Sequence, residues 1–223
     1  MATTTNEPLH ILLLGLQGAG KGTQALLLAK KYGLVHINTG GLLRKMIAGG
    51  SELGKQINEI IHVRGDLVPF ELAEKVVQQE ISSLKPEQGF VLDGSPRQEQ
   101  EARDLLAFLH ENGRMKVITI YLSIGDEEAV ARMSNRLVCE KFGHPVQTAY
   151  TEMVEKCPHD GSKLIHRLDD QPAQIQRRLA IAHEKLTPMI EYLKTQMPYF
   201  EVDGERPIQT VANDVQTIVE KYI

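Results

Sequence analysis

The sequence predicts an α/β protein in which a parallel sheet carries helices on both faces. Two observations support this prediction. Short, continuously apolar segments alternate along the chain with longer segments of helical periodicity, and a glycine-rich loop joins the first such pair. Parallel strands are buried on both faces, so they appear as continuous apolar runs. Strands that alternate with helices are typical of a sheet whose crossover helices cover its two faces.

Each element follows from this pattern. The five predicted strands cover residues 10–16, 34–37, 89–93, 116–124 and 199–203. The predicted helices cover residues 23–32, 41–48, 53–63, 70–84, 99–111, 126–137, 172–196 and 207–222. Helix-ending residues follow several of these segments: Gly33 after the first helix, Pro86 and Gly89 after the fourth, and Asn112 with Gly113 after the fifth.

Residues 138–168 interrupt the alternation. This stretch contains both cysteines of the chain and three of its eight histidines, without a sustained apolar period. A segment of this length inside a compact domain is usually a functional insertion or a lid. We therefore predict an insertion here.

Composition excludes several classes of protein. The 25 Lys and Arg residues against 29 Asp and Glu residues give a net charge of −4, which excludes a polycation that coats nucleic acid. Two cysteines exclude a secreted-type disulfide framework. The first ten residues lack the features of a signal peptide, and the early apolar run over residues 11–14 is too short to span a bilayer. We expect a cytoplasmic protein with no membrane or nucleic-acid partner.

Residues 15–23, the phosphate loop, read Gly-Leu-Gln-Gly-Ala-Gly-Lys-Gly-Thr between the first strand and the first helix. Backbone N–H groups of such a loop converge on phosphate oxygens, the helix N-terminus adds positive potential, and Lys21 reaches the β- and γ-phosphates. The common phosphate loop has Ser or Thr directly after the lysine, whereas here Gly22 precedes Thr23. This order argues against GTPase-like relatives.

Further motifs follow in a fixed order along the chain. They are Thr39-Gly40 with Leu43-Arg44, Gly65-Asp66-Leu67-Val68, Asp93-Gly94-Ser95-Pro96-Arg97, Arg132 with Arg136, Arg167-Leu168-Asp169-Asp170-Gln171, Arg178, and Val202-Asp203-Gly204. With the phosphate loop, they resemble the nucleoside-monophosphate kinases and most closely the adenylate kinase family, from about residue 10 to the C-terminus.

The resemblance implies the organisation of the chain. It implies a three-layer P-loop kinase fold with a central five-stranded parallel sheet, whose core comprises residues 1–37, 69–136 and 169–223. A small helical insertion over 38–68 would bind the monophosphate acceptor, and an insertion over 137–168 would form a lid over ATP. Members of the family are mostly monomeric.

The resemblance also implies a reaction, the reversible transfer of the γ-phosphoryl group of Mg-ATP to AMP, which gives two ADP. The catalytic cations would be Lys21, Arg97, Arg132, Arg167 and Arg178. ATP would contact Gly18, Ala19, Gly20, Lys21, Gly22, Thr23, Arg132, Arg136 and Gly204. AMP would contact Thr39, Arg44, Leu67, Val68, Gly94, Arg97, Glu101, Arg167 and Arg178. Asp93 would hold the water shell of Mg²⁺. Arginine suits these roles because its planar fork donates two parallel bonds to a phosphate.

Three positions depart from the family pattern. Gly41 occupies the place of an aspartate near the magnesium waters, and Ser95 replaces an aromatic residue. Glu101 occupies the place of the glutamine that reads the AMP base, and Gln100 stands one residue earlier. Glutamine donates and accepts together, whereas an ionised glutamate only accepts. Either Gln100 moves into this role or the acceptor differs, for example UMP or CMP. A catalytically weak nucleotide-binding relative is a third hypothesis.

The lid segment departs as well. Many family members bind zinc through two Cys-x-x-Cys pairs, the last ligand of which can be Asp. Here Cys139, Cys157 and Asp160 match three of the four ligands, and Phe142 stands at the fourth. His144 or His159 would have to complete a tetrahedral site. Zinc at Cys139, Cys157 and Asp160 is one expectation; two reduced thiols, or a disulfide, are the alternatives.

Overall fold

The computed structural model describes residues 7–60, 68–140, 156–157, 161–166 and 172–223. Seven strands lie within these residues: β1 (His10–Gly15), β2 (Val35–Asn38), β3 (Phe90–Asp93), β4 (Val117–Ser123), β5 (Leu137–Cys139), β6 (Leu164–His166) and β7 (Tyr199–Asp203). The same residues contain eight helices: α1 (Lys21–Tyr32), α2 (Thr39–Ala48), α3 (Glu52–Asn58), α4 (Phe70–Ser82), α5 (Glu99–Glu111), α6 (Asp126–Ser134), α7 (Pro172–Gln196) and α8 (Ile208–Val219).

Five of the strands form a parallel sheet in the order β2-β3-β1-β4-β7. The side chains of the central strand β1 alternate between two apolar clusters. Ile11 and Leu13 belong to one cluster, and Leu12 and Leu14 belong to the other. Because helices cover both faces, every residue of this strand can be apolar, which explains the uninterrupted apolar run. The predicted α/β class and five-stranded parallel sheet are confirmed.

The carboxyl ends of the strands meet at one edge of the sheet. Asp93 at the end of β3 stands in register with Leu13 of β1 and with Asn38 at the end of β2. The phosphate loop leaves β1 at the same edge. In open α/β sheets this edge is where ligands bind, so the fold brings the predicted site motifs of β1, β2 and β3 to one place.

A third, smaller apolar cluster lies beside the sheet. It is formed by Leu43 of α2, Ile57 of α3 and Val76 of α4. Helices α2 and α3 have side-chain N-caps, since Asn38 Oδ1 accepts a hydrogen bond from Gly41 N and Ser51 Oγ accepts one from Gly54 N. These contacts pack α2 and α3, which belong to the segment predicted to bind the acceptor, against α4 of the predicted core.

Six of the eight predicted helices differ from the observed helices at one or both ends. The helix expected over residues 126–137 ends at Ser134, because Leu137–Cys139 pairs in an antiparallel ladder with Leu164–His166. The helix expected over residues 53–63 begins at Glu52, and α3 ends at Asn58. Residues 61–67 lie outside the described part of the chain. Within the described residues, no helix combines the length and the apolar character that a membrane span requires.

Candidate active site

The phosphate loop passes from β1 to the start of α1 through a left-handed turn. Gly20, directly before the helix, has φ +87°, a conformation that residues with a Cβ rarely adopt. The loop leads into the N-terminus of α1, where unpaired N–H groups and the helix dipole favour an anion. The sequence motif therefore folds into the strand–loop–helix arrangement that it predicts.

Lys21 folds back over the loop that precedes it. Its Nζ donates to the carbonyl oxygens of Gly15 and Leu16, at 2.9 Å each. The pKa of Lys21 is lowered to about 8, chiefly by burial; Asp93 opposes the shift, and the positive charges of Arg97 and Arg136 contribute to it. These couplings bring the predicted cations Lys21, Arg97 and Arg136 into one electrostatic neighbourhood with Asp93.

Asp93 is buried at the end of β3, with 5% of its surface exposed. Burial alone would raise the pKa of this carboxyl, but His36, Lys21 and Asn38 outweigh it, so the pKa lies below its ordinary value. Asn38 Nδ2 donates to Asp93 Oδ2 at 2.6 Å, and His36 Nε2 lies 3.7 Å from the same oxygen. The result is an ionised carboxylate beside the phosphate loop, whose charge suits the water shell of a hard divalent cation.

Several of the predicted acceptor residues lie close to Gly94 and Gly40. Arg97 Nε donates to Gly94 O at 2.7 Å. A Cβ built on Gly94 would stand 3.6 Å from the Thr39 side chain and 3.7 Å from Arg97 Nη2. The Nη1 of Arg44 lies 3.3 Å from the position that a Cβ on Gly40 would occupy. Thr39 is 1% exposed, and its buried Oγ1 has no hydrogen-bond partner among the described residues.

Glu101 is buried in the first turn of α5, with 3% of its surface exposed. Its carboxylate accepts a hydrogen bond from Ser95 Oγ at 3.0 Å and another from Arg97 N. Gln100 is exposed, and its Nε2 donates to Asp104 Oδ1 at 2.8 Å. Two residues that were candidates for reading the acceptor base are thus engaged with neighbours in their own loop and helix.

Arg132 joins the phosphate loop to the loop after β7. Its guanidinium donates to the carbonyl oxygens of Gly18 at 3.3 Å, Gly204 at 2.8 Å and Glu205 at 3.1 Å, and its Nε donates to Glu128 at 2.7 Å. A Cβ on Gly204 would lie 2.9 Å from Ala19 O and from Ser123 O, so the close approach of this loop requires glycine. Gly204 is therefore adjacent to the phosphate loop, as its predicted ATP contact requires.

Of the remaining predicted site residues, the structure describes Arg178 and Val68. Arg178 lies half-buried on α7, between the buried residues Ile175 and Leu179. Val68 packs against the small helical cluster. Arg167 and Leu67 lie outside the described residues, as does Asp160.

Cys139 and Cys157 are buried, and no disulfide joins them. Ser162 links the two cysteines, since its Oγ donates to Cys139 Sγ at 3.1 Å and its carbonyl oxygen accepts from Cys157 N at 2.8 Å. Among the described residues there is no cluster of three metal-binding side chains. Asp160 and both candidate histidines are outside that part of the chain, so the zinc site stays a prediction.

Two residues of the site were absent from the sequence prediction. Asn38 and His36 both contact Asp93 from the end of β2. Asn38 also caps α2 through its Oδ1, so a single side chain links the acceptor helix to the buried aspartate. Their position at the carboxyl end of a predicted parallel strand, next to the strand that ends at Asp93, was the available signal.

This arrangement can bind and neutralise polyphosphate. The charges of Arg97 and Arg136 both act on Lys21, an ionised carboxylate lies near it, and the N-terminus of α1 lies at the same edge of the sheet. In phosphoryl transfer the charge is spread over the equatorial oxygens of the group in transit, so positioning and electrostatic neutralisation do most of the work.

Comparison with known proteins gives a consistent result. The sequence model of the adenylate kinase family matches residues 13–197. An adenylate kinase of Oceanobacillus iheyensis is 36% identical over 96% of this chain and 100% of its own length. Proteins of the same name from Staphylococcus epidermidis and Kosmotoga olearia are 35% and 36% identical, over 95% and 93% of this chain and 99% and 97% of their own lengths.

Proposed function

This chain belongs to the adenylate kinase family, and we propose that it catalyses the reversible transfer of the γ-phosphoryl group of Mg-ATP to AMP, which gives two ADP. It is a phosphotransferase of the nucleoside-monophosphate kinase class. The relatives that carry the name adenylate kinase align with this chain over nearly their whole length.

The observation that carries the proposal is the crowding of cations at the end of β1. Burial is the main cause that lowers the pKa of Lys21 to about 8; Asp93 opposes the shift, and repulsion by Arg97 and Arg136 adds to it. A nucleoside triphosphate would relieve this repulsion with its own negative charges. We therefore expect the charges at this place to favour polyphosphate binding.

We assign the ATP side to the phosphate loop, Arg132, Arg136 and Gly204. Lys21 and the loop N–H groups would hold the β- and γ-phosphates, and Asp93 would orient the waters of Mg²⁺, which supplies charge neutralisation when bound. The ionised state of Asp93 and its position beside Lys21 support this assignment.

We assign the acceptor side to Thr39, Arg44, Val68, Gly94 and Arg97, with Leu67, Arg167 and Arg178 carried over from the resemblance. The buried, unpartnered hydroxyl of Thr39 supports a ligand at this place, because a buried polar atom without a partner is costly until a ligand or water satisfies it. The acceptor-base contact that the resemblance gives to Glu101 is not part of this assignment, because its carboxylate is bonded to Ser95 and Arg97.

Domain closure completes the proposal. The insertions over 38–68 and 137–168 would close over the acceptor and over ATP, and closure would exclude the water that competes for the phosphoryl group. A monomer that works in the cytoplasm, and zinc held in the lid by Cys139, Cys157 and Asp160, are further predictions from the resemblance.

The proposal is tested by measuring ADP formation from Mg-ATP and AMP in the wild type and two lysine variants. We expect Lys21→Ala to abolish turnover while circular dichroism shows a folded protein. Lys30→Ala, an exposed position on the same helix, serves as the matched control and should retain wild-type turnover. Near-native turnover of Lys21→Ala would contradict the role of the phosphate loop.

A further inference from the structure

Glu101 is the residue whose environment departs most from the role that the resemblance gives it. A side chain that reads a nucleotide base must present a hydrogen-bonding edge to the ligand. The Glu101 carboxylate is instead buried, and each of its two oxygens accepts a hydrogen bond from residues that precede α5: Ser95 Oγ on Oε1 and Arg97 N on Oε2.

These bonds close a turn that contains Arg97. Glu101 anchors the turn to the first helical turn of α5, and Ser95 and the Arg97 amide are its two attachment points. The Arg97 side chain is fixed from the opposite side, since its Nε donates to Gly94 O at 2.7 Å. Backbone and side chain of this arginine are thus held by separate hydrogen bonds.

We propose that Glu101 is a positioning residue that fixes Arg97 for phosphoryl transfer, and that it does not contact the acceptor base. The proposal rests on the proposed function, because it concerns the same site. Ser95, which departs from the family pattern, is the partner that makes a carboxylate fit at position 101: its hydroxyl supplies one of the two donors that the carboxylate needs when it is buried.

The proposal separates turnover from base selection. Arg97 acts on phosphate, so loss of its support should lower kcat for every nucleoside monophosphate by a similar factor. A residue that reads the base would affect the KM for AMP and the preference for AMP over other acceptors. A purely structural residue would lower the unfolding temperature and leave both kinetic constants unchanged well below that temperature.

The test compares four variants with the wild type, using Mg-ATP with AMP, CMP, UMP and GMP in separate assays. We expect Glu101→Ala to lower kcat about 10- to 100-fold, the loss that a small misplacement of a catalytic group produces, at an unchanged ratio between acceptors. Ser95→Ala, which removes one of the two bonds, should lower kcat less. Glu101→Gln keeps an acceptor for Arg97 N, and its amide N–H can donate to Ser95 Oγ, which then accepts; it should recover most of the activity.

Glu99→Ala is the matched control. Glu99 also lies in the first turn of α5, but it contacts Arg103 at 2.6 Å and does not bond to the turn that contains Arg97. This variant removes a carboxylate from the same helix end and should leave kcat within about twofold of wild type, the size of a lost surface ion pair. A changed ratio between acceptors in Glu101→Ala, or a raised KM for AMP at unchanged kcat, would overturn the proposal.

A second measurement does not depend on activity. Hydrogen exchange of the Arg97 amide, followed by NMR, reports its bond to Glu101 directly. We expect faster exchange in Glu101→Ala than in Glu101→Gln or Glu99→Ala. An unchanged exchange rate of this amide in Glu101→Ala would overturn the proposal, whether or not the wild type shows turnover. If the wild type shows no turnover but its Arg97 amide is protected, only the proposed function is overturned.

Discussion

His10 makes the stability of this protein sensitive to mild acid. It is the first residue of β1 and is fully buried, with its ring stacked on Phe90 at 4.4 Å between centroids. Neither ring nitrogen has a hydrogen-bond partner among the described residues. Burial, and the nearby positive charge of Arg114, lower the pKa of His10 from its ordinary value of 6.5 to about 4.

The direction of the effect follows from linkage. The folded protein resists protonation of His10, whereas the unfolded chain takes up the proton at the ordinary pKa, so stability falls as the pH falls from 6.5 towards 4. The full shift corresponds to about 3 kcal/mol in the free energy of unfolding. At pH 5 the loss is about 2 kcal/mol, which lowers Tm by about 4–8 °C for a chain of this size.

Urea unfolding at pH 7.5 and pH 5.0 tests this prediction in the wild type and two variants that cannot titrate, His10→Leu and His10→Asn. Other groups contribute the same pH dependence to all three proteins. Relative to the wild type, both variants should gain about 2 kcal/mol between pH 7.5 and pH 5.0, whatever their stability at neutral pH. Parallel pH profiles for wild type and variants would refute the reasoning.

Two further predictions concern packing and the lid. A Cβ on Gly54 would lie 2.1 Å from Met46 O, so Gly54→Ala should lower the free energy of unfolding by about 1–3 kcal/mol. A Cβ on Gly49 would make only ordinary contacts at 3.5 Å, so Gly49→Ala should be neutral or slightly stabilising. Urea unfolding measures both variants. If the lid holds zinc, metal analysis should find about one zinc per chain, and Cys157→Ser should remove it. A metal-free chain with two titratable thiols would contradict the zinc site.

Much of the fold could be predicted because burial on both faces leaves a clear sequence signal. Strand β1 can be recognised in the sequence as an apolar run, because Ile11 and Leu12 point to opposite faces of the sheet and both are buried. The strands β5 and β6 are only three residues long, and their partners come from distant parts of the chain. Such pairing depends on tertiary contacts, which is why residues near 137 were assigned to a helix.

In the candidate site, too, local sequence features could be predicted and tertiary contacts could not. The phosphate loop and Asp93 could be found from sequence because glycine spacing and the end of a buried strand are local features. The partners of Asp93 and Glu101 could not, because hydrogen bonds such as Asn38 to Asp93 span 55 residues and Glu101 turns inwards to Ser95. A motif identifies which residue types are present, whereas the fold determines which neighbours their side chains contact.

Phosphoryl transfer from ATP to AMP can be tested by direct measurement of the products. Wild-type protein is incubated with Mg-ATP and with AMP, UMP, CMP or GMP in separate reactions, and nucleoside diphosphate is quantified by chromatography. We expect rapid formation of ADP with AMP and much slower reaction with the other acceptors. Preference for another monophosphate would contradict AMP as the acceptor, and absence of diphosphate with all four would contradict the enzyme assignment itself.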